Sequence, residues 1–159
     1  GRRICGEVHD ENAWCRGGIS GNAGLFGTAS DIQCLLSGFL NHGEFSDLNG
    51  DQHVLMSPEM SDAAVSTQTP AGFPPRGLGL EIASEDNTAG RLFSQPAFGH
   101  TGFTGTSFWV DPETGLSVVA LTNRLQYGRR HTAAGLNAFR RSLNELAMKE
   151  YGQGDVADR

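Results

Sequence analysis

Residues 99–124 read GHTGFTGTSFWVDPETGLSVVALTNR, and this stretch carries the clearest pattern of secondary structure in the chain. It holds two runs rich in β-branched and aromatic residues, TSFWVDP at 106–112 and GLSVVALTN at 115–123, which meet at a DPETG turn. A third run, AFGHTGF at 97–103, precedes them at short spacing. Because the runs lie too close together for helical crossovers, they predict neighbouring antiparallel strands.

Helices are expected on either side of these strands. The first is expected to begin at Ser30, which caps it and forms a capping box with Gln33. The second is expected to begin after its cap at Ser57. Apolar residues at helical spacing predict a final helix over 132–150. Its apolar stripe is formed by Leu136, Phe139, Leu143, Leu146 and Ala147.

A shorter run, GLGLEIAS at 77–84, alternates moderately and predicts a further strand. Two helices, three to four strands and a final helix predict an α+β fold, an antiparallel sheet with packed helices. The chain has 159 residues, which is enough for one domain with a core. A hydrophobic fraction of 38% without low-complexity tracts indicates a globular protein.

The first thirty residues differ from the rest, because they are rich in glycine and show no periodicity. A stretch of this kind predicts a long ordered loop, which is usually functional or supported by another part of the protein. We expect the apolar side chains of Trp14, Leu25 and Phe26 to be buried.

The composition argues against several classes of function. The net charge of −6 gives no reason to expect a nucleic-acid partner. No stretch reaches the roughly 18–20 apolar residues of a membrane helix, and GRRICGEVHD lacks the apolar core of a signal peptide. Basic residues lie mainly near the C-terminus and indicate a solvated helix face. The three cysteines form no CxxC motif and are interpreted as reduced thiols: Cys5, Cys15 and Cys34.

No metal and no cofactor is expected. GHTGFTG lacks the lysine of a phosphate-binding loop, and no helix N-terminus follows it. The histidines form no HExxH or other close ligand pair. They are His9, His42, His53, His100 and His131.

The common patterns of a serine nucleophile are also missing from the printed sequence. G-x-S-x-G and Tyr-x-Asn do not occur, and the single lysine, Lys149, has Leu146 three positions before it. SGN at 20–22 lies in an aperiodic loop and is interpreted as chance. What remains is HTG leading into a strand, with Gly102 and Gly105 allowing close approach of a ligand or backbone. The residues alone leave two readings open, an edge strand that lines a cleft or a glycine-rich strand packed against a neighbour.

Two long segments resemble the serine β-lactamase and penicillin-binding-protein-like hydrolases, in particular their class C-like branch. GHTGFTGTSFWVDPETGLSVVALTNR at 99–124 is similar to the region of that family's third motif, a Lys-Thr-Gly or His-Thr-Gly box. GEVHDENAWCRGGISGNAGLFGTASD at 6–31 is similar to a second signature of the branch. The segments occur in the family's order, although Asn22 stands where relatives often have histidine.

The resemblance implies a fold and a domain organisation. It implies that the chain, 1–159, is the C-terminal portion of one β-lactamase-like domain. Residues 1–66 would be the end of a helical subdomain, 77–123 the sheet strands and 131–151 a C-terminal helix against the sheet. The active site of the family lies between the sheet and the helical subdomain.

The resemblance also implies site residues. His100, Thr101 and Gly102 match the third motif, and Phe103 would supply a backbone N–H to the oxyanion hole. The family reaction is acyl transfer, in which a serine attacks an ester or amide and an acyl-enzyme is released by water. The segment of His9, Asp10 and Asn12 either lines the cleft and binds substrate together with Gly105, or is a loop held by its own side-chain hydrogen bonds. These two interpretations stay open.

The implied substrate is a small ester, a peptide or a β-lactam. His100 stands where many relatives have lysine, and histidine is mostly neutral at pH 7, with an unperturbed pKa of about 6.5. It should attract a substrate carboxylate less than lysine does, so we expect esters or peptides to be preferred over β-lactams. The family also suggests the cell envelope or the extracellular space as the location.

The Ser-x-x-Lys and Tyr-x-Asn motifs of the family lie before the VHDENA region, so this chain is expected to be inactive alone. It is either part of a serine hydrolase, with the N-terminal half in the same polypeptide or supplied in trans, or a non-catalytic module that binds a peptide or partner. We also expect a homo-oligomer or a partner to cover the apolar residues of the first thirty positions.

Overall fold

The computed structural model of the protein describes residues 4–126 and 133–152. His131 and the expected start of the final helix at 131–132 therefore lie outside the described residues. No helix in the described ranges is long and apolar enough to span a bilayer. The elements, in chain order, are α1 (Glu11–Cys15), α2 (Ala29–Leu40), β1 (Glu44–Ser46), β2 (Gln52–Val54), α3 (Pro58–Val65), β3 (Glu81–Ile82), β4 (Phe98–Thr101), β5 (Gly105–Asp111), β6 (Leu116–Asn123) and α4 (Ala133–Tyr151).

The main sheet has four antiparallel strands in the order β3-β4-β5-β6. This confirms the antiparallel strands that the spacing of the runs predicts, and it confirms the α+β class. The run at 77–84 yields only the two residues of β3. The reason is a tight turn just before it, in which Gly77 N–H donates to Leu80 O over 3.0 Å and Gly79 has a φ of 82°.

Both faces of the sheet are buried. Val110 and Trp109 are neighbours on β5 and are each 0% exposed, so their side chains enter two different cores. The core beside α2 and α3 contains Leu36, Ala64, Leu80, Ile82, Phe98 and Val110. The core beside α4 contains Ala83, Ala89, Phe93, Ala97, Trp109 and Met148.

The start of α2 differs from the sequence prediction. Thr28, not Ser30, is the N-cap: its side chain accepts from Asp31 N–H at 3.2 Å, and Asp31 Oδ2 accepts from Thr28 N–H at 2.8 Å. Thr28 is the last residue with extended backbone, with a ψ of 169°, so the orphan donors of the first turn face it and Ser30 already lies inside the helix. The predicted cap of α3 at Ser57 is confirmed, since its side chain accepts from Met60 N–H.

The most deeply buried residues of α4 do not belong to the predicted apolar stripe, of which Leu136, Leu143 and Ala147 are only partly buried. Phe139 and Leu146 are 48% and 57% exposed, whereas Arg140, Asn144 and Met148 are buried against the sheet. The reason is that the polar groups of this face find partners there, as Asn144 Nδ2 does when it donates to Thr88 O over 2.7 Å. Spaced four residues apart, these three side chains share one face of the helix.

The segment at 4–28 contains the short helix α1 within an otherwise irregular path. The prediction that its large apolar side chains are buried is wrong. Trp14, Leu25 and Phe26 are 61%, 95% and 69% exposed, because the described residues place no apolar layer over them. We call these three side chains the N-terminal apolar surface.

A small hairpin follows α2. β1 and β2 pair antiparallel, with Phe45 opposite His53 and their rings stacked at 5.2 Å.

Candidate active site

The GHTGFTG stretch forms the end of β4, a turn and the start of β5. Within the turn, Gly102 N–H donates to Thr106 O at 2.8 Å, and Gly105 N–H donates to Gly102 O at 3.1 Å. Gly105 has a φ of 115°, and a side chain there would collide with the Thr122 hydroxyl. Glycine at 105 is therefore required by the turn itself, which accounts for its presence without a ligand.

His100 and Thr101 lie at an edge of the sheet. β3 pairs only with Phe98 and Gly99, so among the described residues the last two positions of β4 have β5 as their single strand neighbour. The His100 side chain is exposed. Thr101 is partly buried and donates through its hydroxyl to Glu81 Oε1 at 3.3 Å. The edge thus offers one open imidazole and one hydroxyl already engaged by a carboxylate.

Phe103 lies in the turn with its carbonyl and ring in contact with one arginine. Arg124 Nε donates to Phe103 O at 2.6 Å, and the Arg124 guanidinium lies 4.6 Å from the centroid of the Phe103 ring. Phe103 N–H donates to no residue within 4–126 or 133–152. An open N–H on an otherwise fixed turn is the arrangement that holds a developing oxyanion.

A second arginine supports the same turn from α4. Arg140 is 4% exposed, and its Nη2 donates to Gly102 O at 2.9 Å and to Thr106 O at 2.8 Å. Burial lowers the pKa of the Arg140 guanidinium, and the Glu81 carboxylate opposes that shift. Sequence reasoning missed this residue, because basic residues near the C-terminus indicate a solvated face. Its only signal is the four-residue spacing from Asn144 on a helix.

The segment at 8–13 reaches the turn through His9. The His9 and Phe103 rings lie 5.9 Å apart, although the two residues are remote in sequence. The structure therefore brings His9 together with the HTG region, as the cleft-lining interpretation requires.

Asp10 and Asn12 behave differently from His9. Asp10 caps α1, since its Oδ1 accepts from Ala13 N–H at 2.8 Å and from Asn22 Nδ2 at 3.2 Å. These two hydrogen bonds, that of Ala13 first, lower the pKa of Asp10. Asn12 is exposed, and its side chain makes no hydrogen bond to the described part of the chain. Asp10 thus holds the loop in place, as the alternative interpretation expects of it.

Two further features of this region concern possible chemistry. Ser20 Oγ donates to Asn22 Oδ1 at 2.6 Å, so these side chains join the hydrogen bonds around Asp10. No group of three or more His, Cys, Asp or Glu side chains in the described ranges could hold a metal ion. The described polar groups at the site are backbone N–H donors, the His9 and His100 imidazoles and the Thr101 hydroxyl, with the Glu81 carboxylate and the Arg124 guanidinium beside them.

Comparison with known proteins identifies the family of the chain. A family model described as Beta-lactamase matches residues 2–141. The chain belongs to the beta-lactamase family. It is thus part of the superfamily of serine β-lactamases and penicillin-binding-protein-like hydrolases, and the matched beta-lactamase region includes His9, the 102–106 turn and Arg140.

Similar proteins agree with the assignment to the beta-lactamase family. A protein of Escherichia coli (strain K12) described as "Putative D-alanyl-D-alanine carboxypeptidase" is 37% identical over 125 residues, which cover 76% of this chain and 27% of that protein. A protein of the same description from Salmonella agona (strain SL483) is 38% identical over 127 residues, with the same two shares, 76% and 27%. The chain therefore spans about a quarter of the length of these relatives.

A solved structure shares the fold. A crystal structure of a beta-lactamase from Mycobacterium bovis superimposes with a TM-score of 0.62 at 23% identity, over 82% of this chain and 46% of that one. At this identity the likeness supports the beta-lactamase-like fold and nothing finer.

Proposed function

We propose that this chain forms one wall of the active site of a serine hydrolase that cleaves an ester or amide bond through an acyl-enzyme. The observation that carries the proposal is the Phe103 N–H. It lies on a turn whose carbonyls are held by Arg124 and Arg140, and it has no acceptor among the described residues. In this role it is one of the two donors of the oxyanion hole.

In the proposed reaction, some catalytic groups belong to this chain and others to another part of the protein. A serine oxygen attacks the substrate carbonyl carbon, and the resulting tetrahedral oxyanion accepts hydrogen bonds from Phe103 N–H and from the N–H of the serine itself. The alcohol or amine departs with a proton and leaves an acyl-enzyme. Water then hydrolyses the ester bond of the acyl-enzyme and releases the carboxylic acid. The printed sequence has no Ser-x-x-Lys or Tyr-x-Asn pattern. We therefore propose that serine and base come from a longer polypeptide or from a partner chain.

The substrate side of the wall is proposed to consist of the 100–101 edge with His9 beside it. His100 is exposed there, and neutral imidazole attracts a carboxylate less than lysine would. Thr101 already donates to the Glu81 carboxylate, which adds negative charge near the edge. Both features favour esters or peptides over β-lactams. The description of the relatives as "Putative D-alanyl-D-alanine carboxypeptidase" supports a peptide, and such a substrate would bring its C-terminal carboxylate to an edge that attracts it less than lysine would.

Replacing Phe103 tests the proposed oxyanion donor in the protein that carries the catalytic serine. Phe103→Pro removes the N–H, and we expect kcat for a p-nitrophenyl acyl ester to fall about 10²- to 10³-fold. Phe103→Ala is the matched control, because it removes the ring and keeps the N–H. Circular dichroism checks that both variants fold. Equal rates for the two variants would contradict the assignment.

The preference among substrates is a separate test. We expect the same protein to turn over a short acyl ester faster than a chromogenic cephalosporin, in terms of kcat/KM. A large preference for the cephalosporin would contradict the proposed role of His100 and leave the oxyanion donor untouched.

The unpaired 100–101 edge also favours a second candidate function, a non-catalytic module that binds an extended peptide. In either case we propose that the N-terminal apolar surface is covered by a homo-oligomer or by a partner segment. Sedimentation of the purified chain tests this part. We expect association, and a monomer with a cooperative melt would contradict it.

A further inference from the structure

We propose that Arg140 is the positioning residue of the oxyanion donor, because it holds the carbonyl of the very peptide group whose N–H belongs to Phe103. This inference rests on the proposed function and assigns a role to a side chain of the last helix. Arg140 follows Gly102 by 38 positions and donates to the turn through its guanidinium.

The geometry of one peptide group links Arg140 to the proposed donor. Gly102 C=O and Phe103 N–H are the two polar ends of the same amide, and the described chain contains no cis peptide bond. In a planar trans amide the C=O and N–H point in opposite directions. A group that fixes the Gly102 oxygen on the α4 side therefore directs the Phe103 hydrogen to the other side. Arg140 Nη2 fixes that oxygen at 2.9 Å.

Rotation of that amide is restricted by further contacts. The same Nη2 donates to Thr106 O at 2.8 Å, and Gly105 N–H shares the Gly102 oxygen at 3.1 Å. The turn is thus pinned at its first and last carbonyls by one planar group. Rotation of the 102–103 peptide would break the Gly102 contacts, so the N–H direction is set before any substrate arrives. Such preorganisation is what gives an oxyanion hole its strength.

Arg140 also carries a charge. Arg140 is 4% exposed, and its hydrogen bonds go to Asn137 Oδ1 and to backbone carbonyls, with none to a carboxylate among the described residues. Its Nε has no hydrogen-bond partner there. The Glu81 carboxylate favours the charged guanidinium without a hydrogen bond to it, but burial has the larger, opposite effect, and neutral donors would satisfy the same carbonyls. The positive charge of a guanidinium beside the Gly102 oxygen has a further effect. It polarises the 102–103 amide and makes Phe103 N–H a stronger hydrogen-bond donor.

Arg141 provides a matched control on the same helix. Its Nε donates to Asn87 O at 2.9 Å, and its Nη2 donates to Asp86 O. It therefore makes the same kind of contact, arginine to two backbone carbonyls, but on a turn that is not part of the site. If Arg140 merely fastens α4 to the sheet, the two arginines should behave alike.

The first measurement is amide hydrogen exchange by NMR on this chain, with Arg140→Met, Arg140→Lys and Arg141→Met. We expect Arg140→Met to raise the exchange rates of the Gly102 and Gly105 amides by about tenfold or more, because their shared acceptors lose the guanidinium. Arg141→Met should leave these rates unchanged and raise those near residue 87. Unchanged rates at Gly102 and Gly105 in Arg140→Met would overturn the positioning role. If Arg140→Met does not fold, Arg140→Lys is judged by the same rates.

The second measurement is steady-state hydrolysis of a p-nitrophenyl acyl ester by the protein that carries the catalytic serine. We expect Arg140→Met to lower kcat about 10- to 100-fold with KM changed by less than about threefold, because the oxyanion forms only in the transition state. Arg140→Lys should recover part of kcat, since an ammonium restores the charge. An equal loss of kcat in Arg141→Met, or no loss in Arg140→Met, would overturn the inference. Absence of hydrolysis by the unsubstituted protein would instead contradict the proposed function, and the exchange rates would then decide the positioning role by themselves.

Discussion

The four-stranded sheet and the segment at 4–28 differ in how completely they bury their own apolar side chains. On β5, Trp109 and Val110 are each 0% exposed, one in each core. In the N-terminal segment, Leu25 is 95% exposed and Phe26 is 69% exposed. The sheet therefore buries large apolar side chains on both of its faces, whereas the N-terminal segment leaves its own exposed. The 102–106 turn belongs to the sheet region, so the proposed oxyanion donor does not depend on what covers the N-terminal apolar surface.

The two regions meet at the candidate site. His9 comes from the N-terminal segment, and its ring lies 5.9 Å from that of Phe103 in the turn. The sheet region thus supplies the proposed oxyanion donor, and the N-terminal segment supplies one side of the proposed substrate cleft. Four substitutions test whether the two regions differ in how far their side chains contribute to stability.

Trp109→Ala should have the largest effect. The indole fills the core beside α4, and its Nε1 donates to Thr88 Oγ1 at 3.1 Å. We expect the free energy of unfolding to fall by about 3–5 kcal/mol, as for other large-to-small changes in a core. Urea denaturation measures it, with Trp109→Phe as the milder control. A loss under about 1 kcal/mol would show that the sheet is not the stable region.

Gly99→Ala should come next. A β-carbon at Gly99 would collide with Phe108 O and with the Trp109 ring, neither of which can move freely. We expect a loss of about 1–3 kcal/mol, as for overpacked cores. The control is Gly21→Ala in the N-terminal segment, where nothing lies within 4 Å of the new carbon. Similar losses for the two variants, measured by urea denaturation, would remove the distinction between the regions.

Thr28→Ala probes the junction between the two regions, where α2 begins. Loss of the cap on Asp31 N–H should lower the free energy of unfolding by about 1 kcal/mol. Ser30→Ala is the matched control, and we expect a change of less than about 0.5 kcal/mol there. A larger effect at Ser30 than at Thr28 in thermal melts would contradict the observed cap.

Phe26→Ser should have the smallest effect. The side chain is 69% exposed, so its removal should change the stability of this chain by no more than about 0.5 kcal/mol. The same substitution should weaken association in sedimentation, because it makes the N-terminal apolar surface more polar. A loss above about 1 kcal/mol without any change in association would mean that Phe26 is packed within the monomer.

The sequence predicts the sheet well because its signals are local. Alternating runs and a DPETG turn decide β5 and β6 without knowledge of the rest of the chain. The sequence predicts the cap of α2 at Ser30 and not at Thr28 because the two residues are chemically similar, and only the backbone at Thr28 distinguishes them. A local sequence pattern predicts that a helix or strand is present more reliably than it predicts the residue at which that element begins.

The buried face of α4 could not be predicted in this way. Leu146 lies on the apolar stripe and is exposed, whereas Arg140 is buried because two carbonyls of a turn 34 to 38 positions away accept its hydrogen bonds. The spacing of apolar residues along the helix does not indicate hydrogen-bond acceptors that lie far away in the sequence. The candidate site shows the same limit. The motif indicates His100 and Phe103, but the contact of His9 with Phe103 and the arginine beneath the turn depend on tertiary structure.

The central claim is that this chain supplies a wall of the site and that the nucleophile comes from elsewhere. Treatment of the purified chain with a fluorophosphonate probe, read by intact mass, tests it most directly, because the probe labels an activated serine. The account predicts no labelling of this chain alone. Stoichiometric labelling of a serine within this chain would contradict it.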